Sequence, residues 1–316
     1  MRGAGDGSRG TRGRFGALAA LIGGLMWLAP APASAVLVAG KHVQVELVAD
    51  AASVTPGGPL HLGVRFLPEP EWHVYWKNPG DSGEAPRIEW TLPAGLTAGA
   101  LAWPTPHRIP VGPLVNFGYE GEMLLAAPVT VARDVVRGER LPIRAQAKWL
   151  VCNQDECIPG SATLTLSLPV GDSGGTTVVP HVTELFASTR ARVPGAPPAT
   201  WRVSASPDGD TVTLVVRGGG IVATDGANAP FFFASERAAL EPSADQTVTP
   251  TANGFRLTLT PRTTAPAQLA GVLRVGDQAY AVDTAVRAAV SGFALTPLLL
   301  AFAGGLLLNL MPCVFP

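Results

Sequence analysis

The chain has 316 residues, with 23 basic and 24 acidic side chains, a formal net charge of −1 and a hydrophobic content of 47%. With no basic stripe and no nucleic-acid motif, the sequence argues against a nucleic-acid partner. Its 36 glycines and 30 prolines fit many turns between short strands.

The N-terminus reads as a secretory signal over residues 1–35. Arg2, Arg9, Arg12 and Arg14 form a basic region, Phe15 to Leu28 is apolar and small, and Ala33-Ser34-Ala35 is an A-x-A cleavage site. The mature chain would start near Val36, in an oxidising compartment where a disulfide persists.

A first β domain is expected over 36–170. His42 to Val48 and Leu60 to Phe66 alternate around the turn Pro56-Gly57-Gly58-Pro59. Trp72 to Trp76 is an aromatic-rich strand followed by a loop, Asn78 to Gly83. Ile88 to Trp90 and Leu124 to Val131 supply further strands. Short strands between Gly/Pro turns predict an all-β sandwich. A linker with a short helix is expected over 171–200, where Val182, Leu185 and Phe186 have helical spacing before Pro194-Gly195-Ala196-Pro197-Pro198. A second β-sandwich is expected over 201–289, with its clearest strands at Thr211 to Val216 and Phe255 to Leu259. It holds no cysteine, and reads as a spacer or docking module. Residues 293–316 carry no charge and have a length that suits one bilayer crossing, the first span of a membrane domain. Asn309 and Met311-Pro312-Cys313 are polar or kinking for such a span, which points to function. The apolar run ends without basic flanking residues, as in a fragment of a longer membrane protein.

Cys152 and Cys157 flank an acidic loop, Asn153-Gln154-Asp155-Glu156. Ile143, Ala145, Ala147, Trp149 and Val151 fall on one face of the preceding segment. Arg144, Gln146, Lys148, Leu150 and Cys152 fall on the other. Ala162, Leu164, Leu166 and Leu168 alternate after the loop. This is the period of two half-buried strands, so the sulfurs belong at a hairpin turn. A staple closing so short a loop contributes about 2 kcal/mol in the chain-entropy model, against about 4.7 for a 100-residue loop. A short, exposed bridge is the kind that exchanges. The residues alone leave redox, metal-binding and structural roles open. Asp155 and Glu156 disfavour a nearby thiolate, which predicts thiol pKa values at or above the reference of about 8.5.

Three segments together resemble the DsbD thiol:disulfide interchange proteins: Trp149 to Cys152 with Cys157 to Gly160, Asn116 to Glu122, and Gly305 to Pro316. The Trp72 to Trp90 region and the second β domain look closest to the ScsB-like branch. The resemblance implies two immunoglobulin-like domains in tandem, followed by the start of a transmembrane α-helical domain. It implies a protein-disulfide reductase in the bacterial inner membrane, with 36–289 in the periplasm, no cofactor, and electrons carried by cysteine pairs. Cys152 and Cys157 would be the redox pair of the N-terminal domain, with Cys157 bonding to partners and Cys152 resolving. Cys313 would be the first transmembrane cysteine. Phe117 matches a cap-loop phenylalanine that covers the disulfide. Implied partners are a thioredoxin-like domain of the full-length protein and periplasmic thiol-disulfide proteins, in cytochrome c maturation or copper tolerance. Val115 and Asn116 stand where acidic residues are usual, and His73 and Tyr75 where tyrosines are usual, which puts proton handling there in doubt.

Two other readings remain. One is a copper-binding module using Cys152, Cys157 and a histidine such as His73 or His107, since soft thiolates favour Cu(I). The other is a structural docking domain with a stapled hairpin.

Overall fold

The computed structural model describes residues 37–171, 180–221, 226, 229–288 and 299–305. The expected signal peptide and Cys313 lie outside these residues, as does most of 293–316. Residues 299–305 are helical, and among the described residues no helix is long and apolar enough to cross a membrane.

The first half of the chain runs through β1 (Val38–Gly40), β2 (Val43–Ala49), β3 (Pro59–Pro68), β4 (His73–Gly80), β5 (Arg87–Thr91), β6 (Leu96–Ala98), β7 (His107–Val111), β8 (Leu114–Glu120), β9 (Met123–Val131), β10 (Arg140–Cys152) and β11 (Cys157–Pro169). These strands form two sheets. One has the order β1-β2-β3-β9-β6, the other β11-β10-β4-β8-β7, with β5 also paired to β10. Their inner faces share one core, which takes Val45, Leu47, Val64 and Phe66 from the first sheet and Val74, Trp76, Ile143, Trp149 and Leu166 from the second. The β10 pattern follows the sequence: Ile143, Ala145, Ala147, Trp149 and Val151 are all buried, while Arg144 and Lys148 face solvent. Burying a side chain of this size stabilises by about 1.5–3 kcal/mol, so the alternation fixes which face of the hairpin turns inward.

Helix α1 (Pro180–Arg192) lays Leu185 and Phe186 against Val48, Leu124 and Ala126, on the outer face of the first sheet. Its last carbonyl, Arg192 O, accepts from both Thr105 N and Thr105 Oγ1 at 2.9 Å. The chain continues through β12 (Arg202–Asp208), β13 (Thr211–Arg217), β14 (Phe231–Ala234), β15 (Thr247–Thr251), β16 (Gly254–Leu259), β17 (Gln268–Val275) and β18 (Gln278–Ala285). They form a sheet of order β12-β13-β16-β15 and another of order β14-β17-β18. Val212, Leu214, Phe255, Leu257, Leu269 and Leu273 fill the space between them.

The two sandwiches meet through β14. Phe232 points into the second core, whereas Phe231 and Phe233 belong to the first. Phe233 makes edge contacts with Trp76 at 6.3 Å and Phe117 at 5.2 Å between ring centroids. Period-2 alternation explains the triple phenylalanine: each face of this strand is buried in a different core. The second sandwich is thus packed directly on the first rather than held apart as a spacer.

Candidate functional site

The β10–β11 register runs without a break from Arg140↔Pro169 to Cys152↔Cys157, so the strands deliver the two cysteines opposite each other where pairing ends. They form a disulfide. The sulfurs are unequal in access: Cys152 is 1% exposed, and Cys157 is exposed. The intervening loop closes on Asn153, whose Oδ1 accepts Asp155 N and Glu156 N, each at 2.8 Å. Gln154 Nε2 donates to Pro110 O at 2.8 Å and ties the loop to β7. Lys41 Nζ reaches Glu156 Oε2 at 4.0 Å, but both groups are over half exposed (64% and 54%), so the pair contributes little.

Strand β4 runs beside the pair, with His73 opposite Cys152 and Val74 opposite Val151. Val74 and Trp76 belong to the core, and the intervening His73 and Tyr75 share the other face, their rings in edge contact at 5.1 Å. Tyr75 Oη lies 3.8 Å from Cys157 Sγ. A disulfide sulfur carries no proton, so the phenol donates. Asn116 Nδ2 donates to Tyr75 Oη at 3.5 Å. Asn116 Oδ1 accepts from Ser82 N at 3.1 Å and Ser82 Oγ at 2.9 Å. Burial pushes the Tyr75 phenol up to about 12, with the Ser82 hydroxyl and the charge of Arg237 pulling the other way. It therefore stays protonated, a donor, throughout the physiological range. His73 is 1% exposed, and its Nε2 is buried without a hydrogen-bond partner among the described residues. Burial lowers its pKa to about 4, so the imidazole is neutral.

The ring of Phe117 lies in the core. On β8, Val115, Phe117 and Tyr119 belong to the core, and Phe117 packs against Phe231 and Phe233. Asn116, one residue earlier, takes the face that Tyr75 and Cys157 share. Alternation makes the physical reason plain: adjacent residues of a strand cannot serve the same face. The aromatic group placed next to the sulfurs is Tyr75, which sequence reasoning passed over as a departure from the usual pattern. The available signal was its offset by one position from the core-facing Trp76.

The histidines are divided. His73 adjoins Cys152, whereas His107 lies on β7, paired with Gly118. Among the described residues, no group of three His, Cys, Asp or Glu side chains is placed to hold a metal ion.

Residues 42–169, from the start of β2 to the end of β11, match the family described as thiol:disulfide interchange protein DsbD, N-terminal. The chain carries a DsbD-type N-terminal domain. The N-terminal periplasmic domain of ScsB from Proteus mirabilis is similar over 80% of this chain and 98% of its own, with 17% identity and a TM-score of 0.59, which establishes a shared fold. A chaperone–tip adhesion subunit complex of the Csu pili of Acinetobacter baumannii aligns over 77% of this chain and 99% of its own at 11% identity, with a TM-score of 0.20. No curated protein matches the chain. The family match covers both cysteines of the DsbD-type domain, and with them Tyr75, Asn116 and the 81–83 loop.

Proposed function

We propose that this chain is the periplasmic part of a membrane disulfide-reductase relay, and that Cys152–Cys157 is its exchange centre. The observation that carries the reading is the asymmetry of the pair: an exposed Cys157 and a buried Cys152, at the end of a hairpin in a DsbD-type domain. The exposed sulfur is open to in-line attack, and the buried one is protected from stray thiols.

The electron donor would be a dithiol of the thioredoxin class, in the resemblance a domain of the same full-length protein. One donor thiolate attacks Cys157 Sγ, the Cys152–Cys157 bond breaks, and Cys152 departs as a thiolate that takes up a proton. The donor's second thiolate then attacks the donor sulfur of the mixed disulfide and releases Cys157. Two electrons and two protons have moved to this domain, and the donor is left oxidised. Cys157 next attacks a substrate disulfide and expels one substrate thiolate. Cys152 resolves the mixed disulfide, which restores the internal bridge and frees the second substrate thiol. Tyr75 donates to Cys157 while that sulfur carries negative charge.

In this reading residues 1–35 export the chain, 293–316 enter the inner membrane, and Cys313 belongs to the transmembrane relay. Periplasmic acceptors would be disulfide proteins of cytochrome c maturation or of copper tolerance. The test is a trapping experiment with Cys152→Ala in oxidised periplasmic extract. Discrete mixed disulfides that vanish when Cys157 is also replaced support the relay. No adduct, with the wild-type bridge surviving mild reductant, makes the hairpin disulfide a staple.

A further inference from the structure

Between β4 and β5, the loop Asp81-Ser82-Gly83 lies over Tyr75. A Cβ on Gly83 would stand 2.1 Å from Tyr75 Cζ, so only glycine lets the backbone approach the ring this closely. The loop is tied to β8, since Asp81 N donates to Val115 O at 3.1 Å and Asp81 Oδ2 accepts Val115 N at 2.9 Å. Ser82 then orients the Asn116 amide that donates to the phenol.

The other anchor of this loop comes from the second sandwich. Arg262 Nη2 pairs with Asp81 Oδ1 at 2.6 Å, where the carboxylate is only 7% exposed. Arg262 Nε also reaches Glu241 Oε2 at 3.4 Å, which fixes the guanidinium from its own side. Arg237 donates to Asp81 O at 2.6 Å and to Gly83 O at 3.5 Å. Asn78 Nδ2, at the end of β4, donates to Ala234 O at 2.8 Å. A buried carboxylate stripped of its ionic partner is strongly unfavourable, so loss of Arg262 weakens the hold on Asp81.

We propose that Arg237 and Arg262 of the second sandwich are positioning residues for the Cys152–Cys157 pair, holding the 81–83 loop, and through it the Tyr75 hydroxyl, in register with Cys157. The inference rests on the interchange reading above and gives the second sandwich a part in it: the sulfur chemistry of one domain is tuned by whether the other is docked. Each link is a contact between named groups, from Arg262 and Arg237 to Asp81 and Gly83, from Ser82 to Asn116, and from Tyr75 to Cys157.

The test reads alkylation of Cys157 by iodoacetamide in the reduced full chain at neutral pH, mapped by mass spectrometry, alongside the melting temperature. Loss of the positioned donor raises the thiol pKa, and the rate falls by about threefold for each unit, because rising intrinsic nucleophilicity offsets part of the lost thiolate fraction. R237A/R262A is expected to give a drop of about this size, and R237K/R262K to recover part of it. The deciding comparison is with Y75F: adding Y75F to R237A/R262A should give no further drop, because both changes remove the same hydrogen bond. An unchanged rate in R237A/R262A, or drops that multiply when the changes are combined, overturns the proposal. If R237A/R262A does not fold, D81N removes the ion pair while conserving the size of the side chain. A lowered rate in D81N upholds the link, and a wild-type rate overturns it. Trapping with Cys152→Ala fails or succeeds independently of these rates, so loss of the relay reading and loss of this inference are separable.

Discussion

Tyr75 Oη stands 3.8 Å from Cys157 Sγ and accepts from Asn116 Nδ2 on its other side, so the one hydroxyl proton is directed at the exposed sulfur. A hydrogen bond to a charged group contributes roughly 1.5–3 kcal/mol, and one pKa unit corresponds to about 1.4. Tyr75→Phe should therefore raise the Cys157 thiol pKa by about one unit or more in the reduced protein. Thiolate absorbance followed against pH checks this, and an unchanged midpoint would remove Tyr75 from the account. The acidic loop works in the opposite direction, so the wild-type value reflects both influences.

His73 gives stability a pH dependence of defined sign. Its folded pKa is lowered to about 4 by burial, below the ordinary 6.5. Between those values the unfolded chain binds more protons, so stability rises with pH, is fully present above about 6.5, and is lost as pH falls toward 4. The loss is on the order of 2–3 kcal/mol. Chemical denaturation at several pH values should show this slope in the wild type and a flatter one in His73→Phe, which keeps an aromatic ring without a titrating group.

Phe233 is 1% exposed and bridges the sandwiches through Trp76 and Phe117. Phe233→Ala should cost about 3–5 kcal/mol, the range for a buried phenylalanine. Calorimetry of the wild type should give one cooperative transition for both sandwiches. In the variant the second sandwich should melt separately and first. A single unshifted transition would mean that the seam contributes little.

Gly83 has φ +89° as well as the close approach to Tyr75. Gly83→Ala faces both a steric conflict and an unfavourable backbone, so the loop must move. The expected outcome is a Cys157 alkylation rate lowered as in Tyr75→Phe, together with a lower melting temperature. A wild-type rate despite destabilisation would argue that the loop does not position the phenol.

Much of the site could be read along the chain, because the β10–β11 hairpin has a strict apolar period. Trp149 and Val151 had to turn inward, which left Cys152 on the opposite face and put Cys157 across the turn. Phe117 shows where that reasoning stopped. Its place in a motif suggested a cover for the sulfurs, yet Val115, Phe117 and Tyr119 form an apolar period of their own, and burial governs the face. The contacts of the second sandwich were less accessible still. Asp81 meets Arg262 across 181 positions of sequence, a pairing that only the folded seam creates. Phe231-Phe232-Phe233 has no period by itself, because it serves two cores at once.

The central claim is that Cys157 is the exchanging sulfur of a reactive pair. The most direct measurement mixes the oxidised chain with a thioredoxin-fold protein whose resolving cysteine has been changed to serine, and maps the mixed disulfide by mass spectrometry. The account predicts rapid adduct formation on Cys157, with Cys152 recovered as a free thiol. An adduct on Cys152, or no adduct in samples acid-quenched at any time with the partner in excess, would contradict it.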